Sequence, residues 1–382
     1  MSMYALFCFS GCPEILRSAG RGRSAEMKRR KRMRFIHIAD VHLGASPDAG
    51  PLYSRERAGE LWDTFRRVIS VCERERADLL LIAGDLFHRQ PLVQELKEVN
   101  FLFSELSHTK VVLIAGNHDY IRSDSYYRTF EWADNVFPLF GEEMEYIDFP
   151  ELKTAVYGFS YHSREMADPV YDRAKACGIE PCEILLAHGG DEKHIPIDRR
   201  KLAGSGFTYI ALGHIHKPQA LIRDRAVYAG ALEPTDKNDT GPHGYVRGEA
   251  TEAGLRTWWI PCALREYIHM EIPVSQYDTT GSVGKRIEKE INRFGNENIY
   301  KLELTGKRDP DVEFDTEWLA GRGNVTEVID NSSPAYDFEA LYRENEHTVL
   351  GRYIRRFSEC REGSLEYQAL CEGVDALLES RR

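Results

Sequence analysis

The chain has 382 residues, of which 42% are hydrophobic and 29% charged, and its formal net charge is −11. This length is sufficient for two domains, and no stretch is apolar for long enough to cross a bilayer. The acidic balance excludes the basic field over the whole surface that many nucleic-acid-binding proteins carry. The eight cysteines include no Cys-x-x-Cys pair, which predicts a reduced, cytoplasmic protein without membrane association.

The first 32 residues differ in pattern from those that follow. A short apolar run at 4–9 comes before a basic tract at 28–32, whereas a secretory signal has the opposite order. Because Met33 stands directly before the first strand-like run, we expect translation to begin there and residues 1–32 to be a disordered extension. The alternative is a basic arm that contacts nucleic acid.

Five short apolar runs follow, each ending in a polar motif. They occupy residues 35–39, 79–83, 111–115, 184–186 and 209–212. Bounded runs of mostly branched residues favour strands that are buried on both faces. Two segments between the first three runs, 55–76 and 92–106, carry apolar residues at helical spacing. This alternation predicts an α/β fold built in layers.

The polar motifs are rich in Asp, His and Asn. They are Asp40-Val41-His42, Gly84-Asp85-Leu86-Phe87-His88, Gly116-Asn117-His118-Asp119, Ala187-His188-Gly189 and Gly213-His214-Ile215-His216. Because ligands collect at the carboxyl ends of strands in open α/β sheets, we expect these side chains to meet at one edge. Imidazoles, carboxylates and an amide, without a thiolate, suit manganese, iron or zinc.

The chemistry predicted for this set is phosphoester hydrolysis. Asp85 can offer one oxygen to each of two ions, and two carboxylates facing two divalent cations leave a positive site that suits a phosphate ester. Two such ions activate a water and stabilise both oxygens of an in-line displacement. His118 is placed to supply a proton to the leaving oxygen, and Asp119 to orient that imidazole.

The ordered motif set resembles the calcineurin-like metallophosphoesterase superfamily and, within it, the bacterial SbcD-type (Mre-type) DNA repair exonucleases. The resemblance covers residues 33 to about 260 well and the remainder loosely. It implies a layered β-sandwich flanked by helices over 33–261, with two divalent ions, Mn²⁺ first and Fe²⁺ or Zn²⁺ as alternatives. By motif, one ion would be held by Asp40, His42, Asp85 and His216, and the other by Asp85, Asn117, His188 and His214.

The same resemblance assigns roles to two further histidines. His118 would be the catalytic histidine, and His88 would lie near the substrate phosphate. An ordinary surface histidine is the alternative for His88. His37, inside the first strand, and His162 are interpreted as structural.

A second unit begins near residue 261. Strand-like stretches at 267–274, 299–304 and 325–329 alternate with helical stretches at 281–294 and 311–319, which predicts a small α/β domain over 262–334. The resemblance implies that this domain is a cap that guides DNA. Residues 335–382 form a charged helical tail, predicted as two amphipathic helices.

Two surfaces of the chain are candidates for protein partners. The tail either packs on its own domain or, as the resemblance implies, docks onto an SbcC-type, SMC-like ATPase. The chain has no phosphate loop of the Gly-x-x-x-x-Gly-Lys-Ser/Thr form, so any ATP dependence would come from that partner. The predicted helix 92–106 has more apolar residues than one buried face requires. The additional ones suit either a homodimer contact or a larger core.

Three functions remain open from the residues. The first is a DNA exonuclease and endonuclease of double-strand-break repair. The second is a small-molecule phosphodiesterase or phosphoprotein phosphatase on the same site, and the third is a binding subunit. The metal motifs support the first two equally. His88, the cap and the tail favour the nuclease, and the complete ligand set argues against the third.

Overall fold

The computed structural model describes residues 15–18, 32–48, 53–361 and 363–380. The chain divides into two compact units, Met1–Glu266 and Tyr267–Arg382. Both units combine sheets with flanking helices, which confirms the predicted α/β class.

The first unit holds most of the strands. They are β1 (Ile15–Ser18), β2 (Arg32–Ile38), β3 (Leu79–Ala83), β4 (Lys110–Ile114), β5 (Val136–Pro138), β6 (Glu145–Phe149), β7 (Thr154–Gly158), β8 (Cys182–His188), β9 (Tyr209–Gly213), β10 (Gln219–Ile222), β11 (Ala226–Tyr228), β12 (Gly244–Thr251) and β13 (Gly254–Pro261). The helices are α1 (Ser54–Glu75), α2 (Val93–Ser104) and α3 (Arg199–Ala203). Strands β2, β3, β4, β8 and β9 confirm the five predicted runs, and α1 and α2 confirm the two helical segments.

These strands form two sheets. One has the order β13-β12-β2-β3-β4-β5 and the other β1-β6-β7-β8-β9-β11-β10. The motif-bearing strands β2, β3 and β4 are parallel neighbours in the first sheet, and β8 and β9 are parallel neighbours in the second. The five motifs therefore lie at the carboxyl edges of two sheets, three on the first and two on the second, whereas a single edge was predicted.

A shared apolar core joins the two sheets. Phe35, Leu81 and Val112 of the first sheet pack in one cluster with Leu186 and Tyr209 of the second. The other face of the first sheet packs against α1 and α2 in a separate cluster. The first unit is thus the β-sandwich flanked by helices that the family resemblance implied.

Five described residues of the segment predicted as a disordered extension are in strands. Residues Ile15–Ser18 pair in parallel with β6 at the edge of the second sheet, and Arg32 is the first residue of β2. An open sheet edge offers unpaired backbone groups that a further strand can satisfy. The other residues of 1–32 lie outside the described part of the chain, and the start at Met33 remains a prediction.

The second unit is a parallel sheet with helices. Its strands are β14 (Tyr267–Val274), β15 (Ile299–Arg308), β16 (Val325–Asp330) and β17 (Ser333–Pro334), and its helices are α4 (Thr280–Phe294), α5 (Thr316–Ala320), α6 (Phe338–Asn345), α7 (Val349–Arg356) and α8 (Leu365–Glu379). Ile272, Ile287 and Leu302 contribute to its core. Among the described residues, none of the helices combines the length and apolarity needed to span a membrane.

Two predictions for this unit were wrong in extent. The helix expected at 311–319 is limited to α5, because the Asp315 side chain accepts from Trp318 N and caps its start there. The tail has three helices where two were predicted. Thr348 accepts from Gly351 N and begins a new helix at the point where one continuous helix was expected.

A buried charged network ties α1 to the chain after β11. The fully buried guanidinium of Arg57 donates to the Pro234 carbonyl at 2.6 Å and lies 3.5 Å from Glu233 Oε2. Glu233 also accepts from Thr64 Oγ1 at 2.5 Å and from Leu264 N at 2.6 Å. Because Glu233 is almost fully buried, it depends on these partners for its charge.

Replacing Arg57 tests this network. We expect Arg57→Ala to lower the free energy of unfolding by about 3–5 kcal/mol, because it leaves the Glu233 carboxylate buried beside fewer partners. The control is Arg66→Ala on the same helix, where an exposed arginine pairs with exposed Asp63 and Glu98. Its expected cost is below about 1 kcal/mol. Urea denaturation followed by tryptophan fluorescence measures both, and equal losses would contradict the assignment.

Candidate metal centre

The turns that follow β2 and β3 are hydrogen-bonded to each other. Asp40 N donates to Gly84 O at 3.2 Å, and His42 N donates to Asp85 O at 3.1 Å. Four of the predicted ligands have left-handed backbone, with φ of 51° at Asp40, 52° at His42, 51° at Asp85 and 92° at His214. This conformation is uncommon for residues other than glycine and clusters at functional sites, where the surrounding structure holds it in place.

A glycine makes the close approach of these turns possible. A Cβ atom at Gly116 would lie 2.2 Å from Asp85 Oδ1 and 2.7 Å from His188 Nε2. Any other residue at position 116 would therefore push the second and fourth motifs apart.

Asp40, His42 and His216 form one group of potential ligands. Their ligand atoms lie within 4.8 Å of one another, and His42 Nε2 is 3.0 Å from His216 Nε2. His216 Nδ1 faces Asp239 Oδ2 at 2.9 Å and donates to it, which leaves Nε2 as the nitrogen that faces the group. Both Asp40 oxygens accept from His214 N, at 3.0 and 2.9 Å.

A second group forms around Asn117. Its Oδ1 lies 2.9 Å from His188 Nε2 and 3.1 Å from His214 Nδ1. His188 Nδ1 must carry a proton, because it faces the Ala83 carbonyl at 2.8 Å, and His214 Nε2 donates to Asp191 Oδ2 at 2.7 Å. In the neutral rings, two nitrogen lone pairs therefore converge on an amide oxygen. Acceptors that face each other in this way are the donor set of a cation.

Asp85 lies between the two groups. Its Oδ2 is 3.9 Å from His42 Nε2 and 3.5 Å from His188 Nε2, and its Oδ1 accepts from His118 N at 2.9 Å. This carboxylate is almost fully buried. It can reach ligands of both groups, as a residue that bridges two ions must.

The buried charges shift the pKa values of these groups in opposite directions. Burial raises the pKa of Asp40 to about 6 and lowers that of His42 well below its ordinary value. Burial alone would raise the pKa of Asp85, but His188 outweighs it and keeps that pKa below its usual range. His188 and His216 have pKa values raised to about 9, because Asp85 and Asp239 respectively outweigh the effect of burial.

His88 and His118 lie at the outer side of this cluster. The His118 ring is 4.8 Å from that of His42 and 4.9 Å from that of His88, centre to centre. His88 is exposed, and its Nδ1 is 3.4 Å from His42 Nδ1. The structure therefore brings all seven predicted ligands and both predicted histidines together, and it places the two histidines at the solvent side of the buried ligands.

Asp119 does not have the orientation predicted for it. Its carboxylate accepts from Gly116 N at 2.8 Å, Phe87 N at 3.2 Å and Tyr127 Oη at 2.9 Å. The His118 ring is oriented instead by the His88 carbonyl, which accepts from Nδ1 at 3.0 Å. Asp119 therefore links the second and third motifs, because backbone N–H groups that are buried in tight turns need an acceptor.

Sequence reasoning missed two carboxylates, Asp191 and Asp239. Each accepts from the outer nitrogen of a predicted ligand, His214 and His216 respectively, and so fixes which nitrogen faces the cluster. Asp191 comes only three residues after His188 of the fourth motif, and this closeness in sequence could have identified it. Asp239 lies in a loop far from any motif, and nothing in the sequence marked it. His37, which donates to or accepts from Tyr209 Oη at 2.9 Å, and His162, bonded to the Phe140 carbonyl at 2.9 Å, make the structural contacts expected of them.

Residues 33–218 match the family model described as calcineurin-like phosphoesterase. They are a calcineurin-like metallophosphoesterase domain. The members of this family use a dinuclear metal site, and the clustered acceptors described above fit such a site. Asp40, His42, Asp85 and His216 are the residues available to one ion, and Asp85, Asn117, His188 and His214 to the other.

Comparison with curated proteins identifies relatives of this metallophosphoesterase. The chain is 30% identical to the uncharacterized metallophosphoesterase YhaO of Bacillus subtilis (strain 168), over 58% of each chain. It is 31% identical to the DNA double-strand break repair protein Mre11 of Methanocaldococcus jannaschii, over 48% of this chain and 52% of the relative. It is 24% identical to the DNA double-strand break repair protein Mre11 of Archaeoglobus fulgidus, over 86% of this chain and 79% of the relative. The chain thus spans little more than half the length of the first two relatives.

Removal of the Asp85 charge tests the bridging position. We expect wild-type protein loaded with Mn²⁺ and desalted to retain about two ions per chain, and Asp85→Asn to lose both, because one carboxylate serves both groups. Plasma mass spectrometry measures the metal content. The control is Asp124→Asn, which changes an exposed carboxylate, and it should retain both ions. Retention of two ions by Asp85→Asn would rule out the bridging role.

The raised histidine pKa values predict a pH dependence of metal binding. With a pKa of about 9, His188 and His216 are protonated at pH 7 in the metal-free protein, whereas a metal ion binds the deprotonated nitrogen. Mn²⁺ affinity should therefore rise as pH increases from 7 to 9 and level off above that, by up to about tenfold per pH unit for each displaced proton.

Titration calorimetry across this pH range measures the dependence. In Asp239→Asn the carboxylate that raises the pKa of His216 is replaced by a neutral amide. One fewer proton is then displaced when the metal binds, so Mn²⁺ affinity should rise less steeply with pH than in the wild-type protein. A pH-independent affinity in the wild-type protein would refute the prediction.

Proposed function

We propose that this metallophosphoesterase is a metal-dependent DNA nuclease that hydrolyses phosphodiester bonds. The observation that carries the proposal is the histidine pair, His88 and His118, at the solvent side of a buried two-ion ligand set. A phosphodiester that approached the buried ligands would meet these two imidazoles first. The names of the archaeal relatives support DNA as the substrate.

Two divalent ions at this centre, which we propose to be Mn²⁺ with Fe²⁺ or Zn²⁺ as alternatives, would supply an activated water and charge stabilisation for the displacement. The residues of the chain orient the metal ligands, supply the proton and contact the substrate. Asp191, Asp239 and the Ala83 carbonyl hold three ligand imidazoles in the tautomers described above. The His88 carbonyl accepts from His118 Nδ1, so in the imidazolium form Nε2 is the nitrogen that would give its proton to the leaving oxygen and leave the ring neutral. His88, exposed beside it, is placed to contact a phosphate oxygen.

We further propose that the nuclease acts in double-strand-break repair with an SbcC-type ATPase. The tail offers a surface for this partner, since Leu365 is 78% and Val349 59% exposed on amphipathic helices. Leu92, which directly precedes helix α2, and Phe101 within the helix are exposed, which supports a homodimer contact there. The six described cysteines are free thiols, in keeping with the proposed cytoplasmic location.

A second function uses the same centre. A small-molecule phosphodiesterase or phosphoprotein phosphatase would need the same ligands and the same proton donor, and the YhaO relative, which is uncharacterized, does not favour either. Substrate comparison is therefore the decisive experiment. Purified protein with Mn²⁺ is assayed on end-labelled duplex and single-stranded DNA, a chromogenic bis-phosphodiester and a phosphomonoester. Cleavage of DNA is expected, and hydrolysis of the small esters alone would favour the second function.

His118→Gln separates catalysis from metal binding. We expect this variant to keep both ions, since His118 is outside both ligand groups, and to lose DNA cleavage by about a hundredfold or more, as loss of a general acid typically does. His162→Gln is the matched control, because it removes a half-buried imidazole without touching the cluster, and it should retain activity. If His118→Gln lost its metal, the residue would be a ligand and the assigned role would be incorrect.

A further inference from the structure

A basic cavity of about 380 Å³ lies in the first unit, lined by β2, the carboxyl end of α1 and the middle of β12 and β13. We call it the arginine cavity. Arg32, at the start of β2, is in its wall, and the same strand leads to Asp40 at the metal centre eight residues later. At about 3.3 Å per residue, Arg32 and Asp40 are on the order of 25 Å apart. None of the residues assigned to the metal centre lines this cavity.

The arginine cavity is positive although the chain is acidic. Five arginines and two glutamates line it, a formal excess of three positive charges in a chain of net charge −11. The arginines are Arg32, Arg34, Arg74, Arg76 and Arg247, and the glutamates are Glu75 and Glu249. Arg32 pairs with Glu249 at 3.3 Å and Arg247 with Glu75 at 3.6 Å. The two glutamates are therefore already engaged.

Two of the arginines remain available to a ligand. Arg74 and Arg76 are exposed and form no ion pair with any residue that the structure describes. They flank the carboxyl end of α1, whose dipole would by itself oppose an anion. Arg34 compensates for this effect, because its guanidinium donates to the Glu75 carbonyl at 2.9 Å. Unpaired guanidinium groups bind phosphate oxygens in bidentate geometry.

An aromatic ring completes the wall. Trp258 is 40% exposed on β13, the edge strand of the sheet, and the Arg247 guanidinium lies 5.1 Å from its ring centre. An exposed indole beside cationic groups is the arrangement on which unpaired nucleic-acid bases stack. Bases in a duplex are already stacked on each other, so this ring favours a single strand.

We propose that the arginine cavity binds single-stranded nucleic acid, with phosphates on Arg74 and Arg76 and a base on Trp258. The proposal rests on the proposed function in taking nucleic acid as the ligand. It places a second contact for the strand away from the metal centre, within the size range of ligand pockets.

The test measures binding without catalysis. The full chain is titrated in EDTA against a fluorescein-labelled single-stranded thymidylate oligonucleotide, and anisotropy is recorded at several salt concentrations. Arg74→Glu/Arg76→Glu should weaken binding by tenfold or more. The slope of log affinity against log salt should fall in magnitude by about 1.4, since each lost phosphate contact to a single strand accounts for about 0.7. Trp258→Ala should weaken binding about fivefold or more.

A charge-matched control distinguishes the cavity from general surface charge. Arg199→Glu/Arg200→Glu makes the same change in net charge at exposed residues of α3, and it should alter the affinity less than twofold. An equal loss in the two double variants would overturn the proposal, as would unchanged binding by Arg74→Glu/Arg76→Glu. Thermal melting checks that each variant is folded.

The outcome is separable from that of the proposed function. DNA cleavage in Mn²⁺ together with binding that is unaffected by the cavity variants would refute the arginine cavity and leave the nuclease in place. Binding that depends on the cavity residues, without cleavage of any DNA, would refute the nuclease and leave the arginine cavity as a binding site.

Discussion

The structure of the first unit depends on acceptor atoms that are buried facing one another. His188 Nε2 and His214 Nδ1 each lie within 3.1 Å of Asn117 Oδ1, and the Asp85 carboxylate beside His188 is almost fully buried. Such a set is repulsive unless protons or cations lie between its members. The parallel strands, the left-handed turns and the glycine at 116 all serve to hold these atoms together against that repulsion.

The second requirement of the centre is that each imidazole presents the correct nitrogen. Here the acceptors come from different parts of the fold: a strand carbonyl at Ala83, a loop carboxylate at Asp191 and another at Asp239. The ring of His118 is held by the carbonyl of His88. Because these acceptors are distant from each other in sequence, the centre is only as rigid as the sandwich core that joins the two sheets.

Net charge describes this chain poorly at the scale of a binding site. The chain is acidic overall, yet the arginine cavity concentrates five guanidinium groups within one wall. At physiological salt, exposed charges are screened beyond about 8 Å, so a ligand is sensitive to the groups near it far more than to the sum over the chain. An acidic composition is therefore compatible with a nucleic-acid ligand when basic residues are grouped in this way.

The sequence by itself determined the α/β class and the position of the polar motifs at the ends of buried strands, because buried apolar runs and the polar residues that end them are local patterns. It predicted one edge for all of them, whereas the motifs leave two sheets. Only the tertiary structure decided what each side chain contacts. Asp119 bonds to turn N–H groups where a contact with His118 was expected, and Asp239 reaches His216 from a loop that no motif marks. Two helices of the second unit begin at residues other than those predicted, because side-chain capping by Asp315 and Thr348 fixes the helix starts and apolar periodicity does not show it. Hydrogen-bond partners depend on distances between segments that are remote in sequence, and spacing along the chain contains no record of those distances.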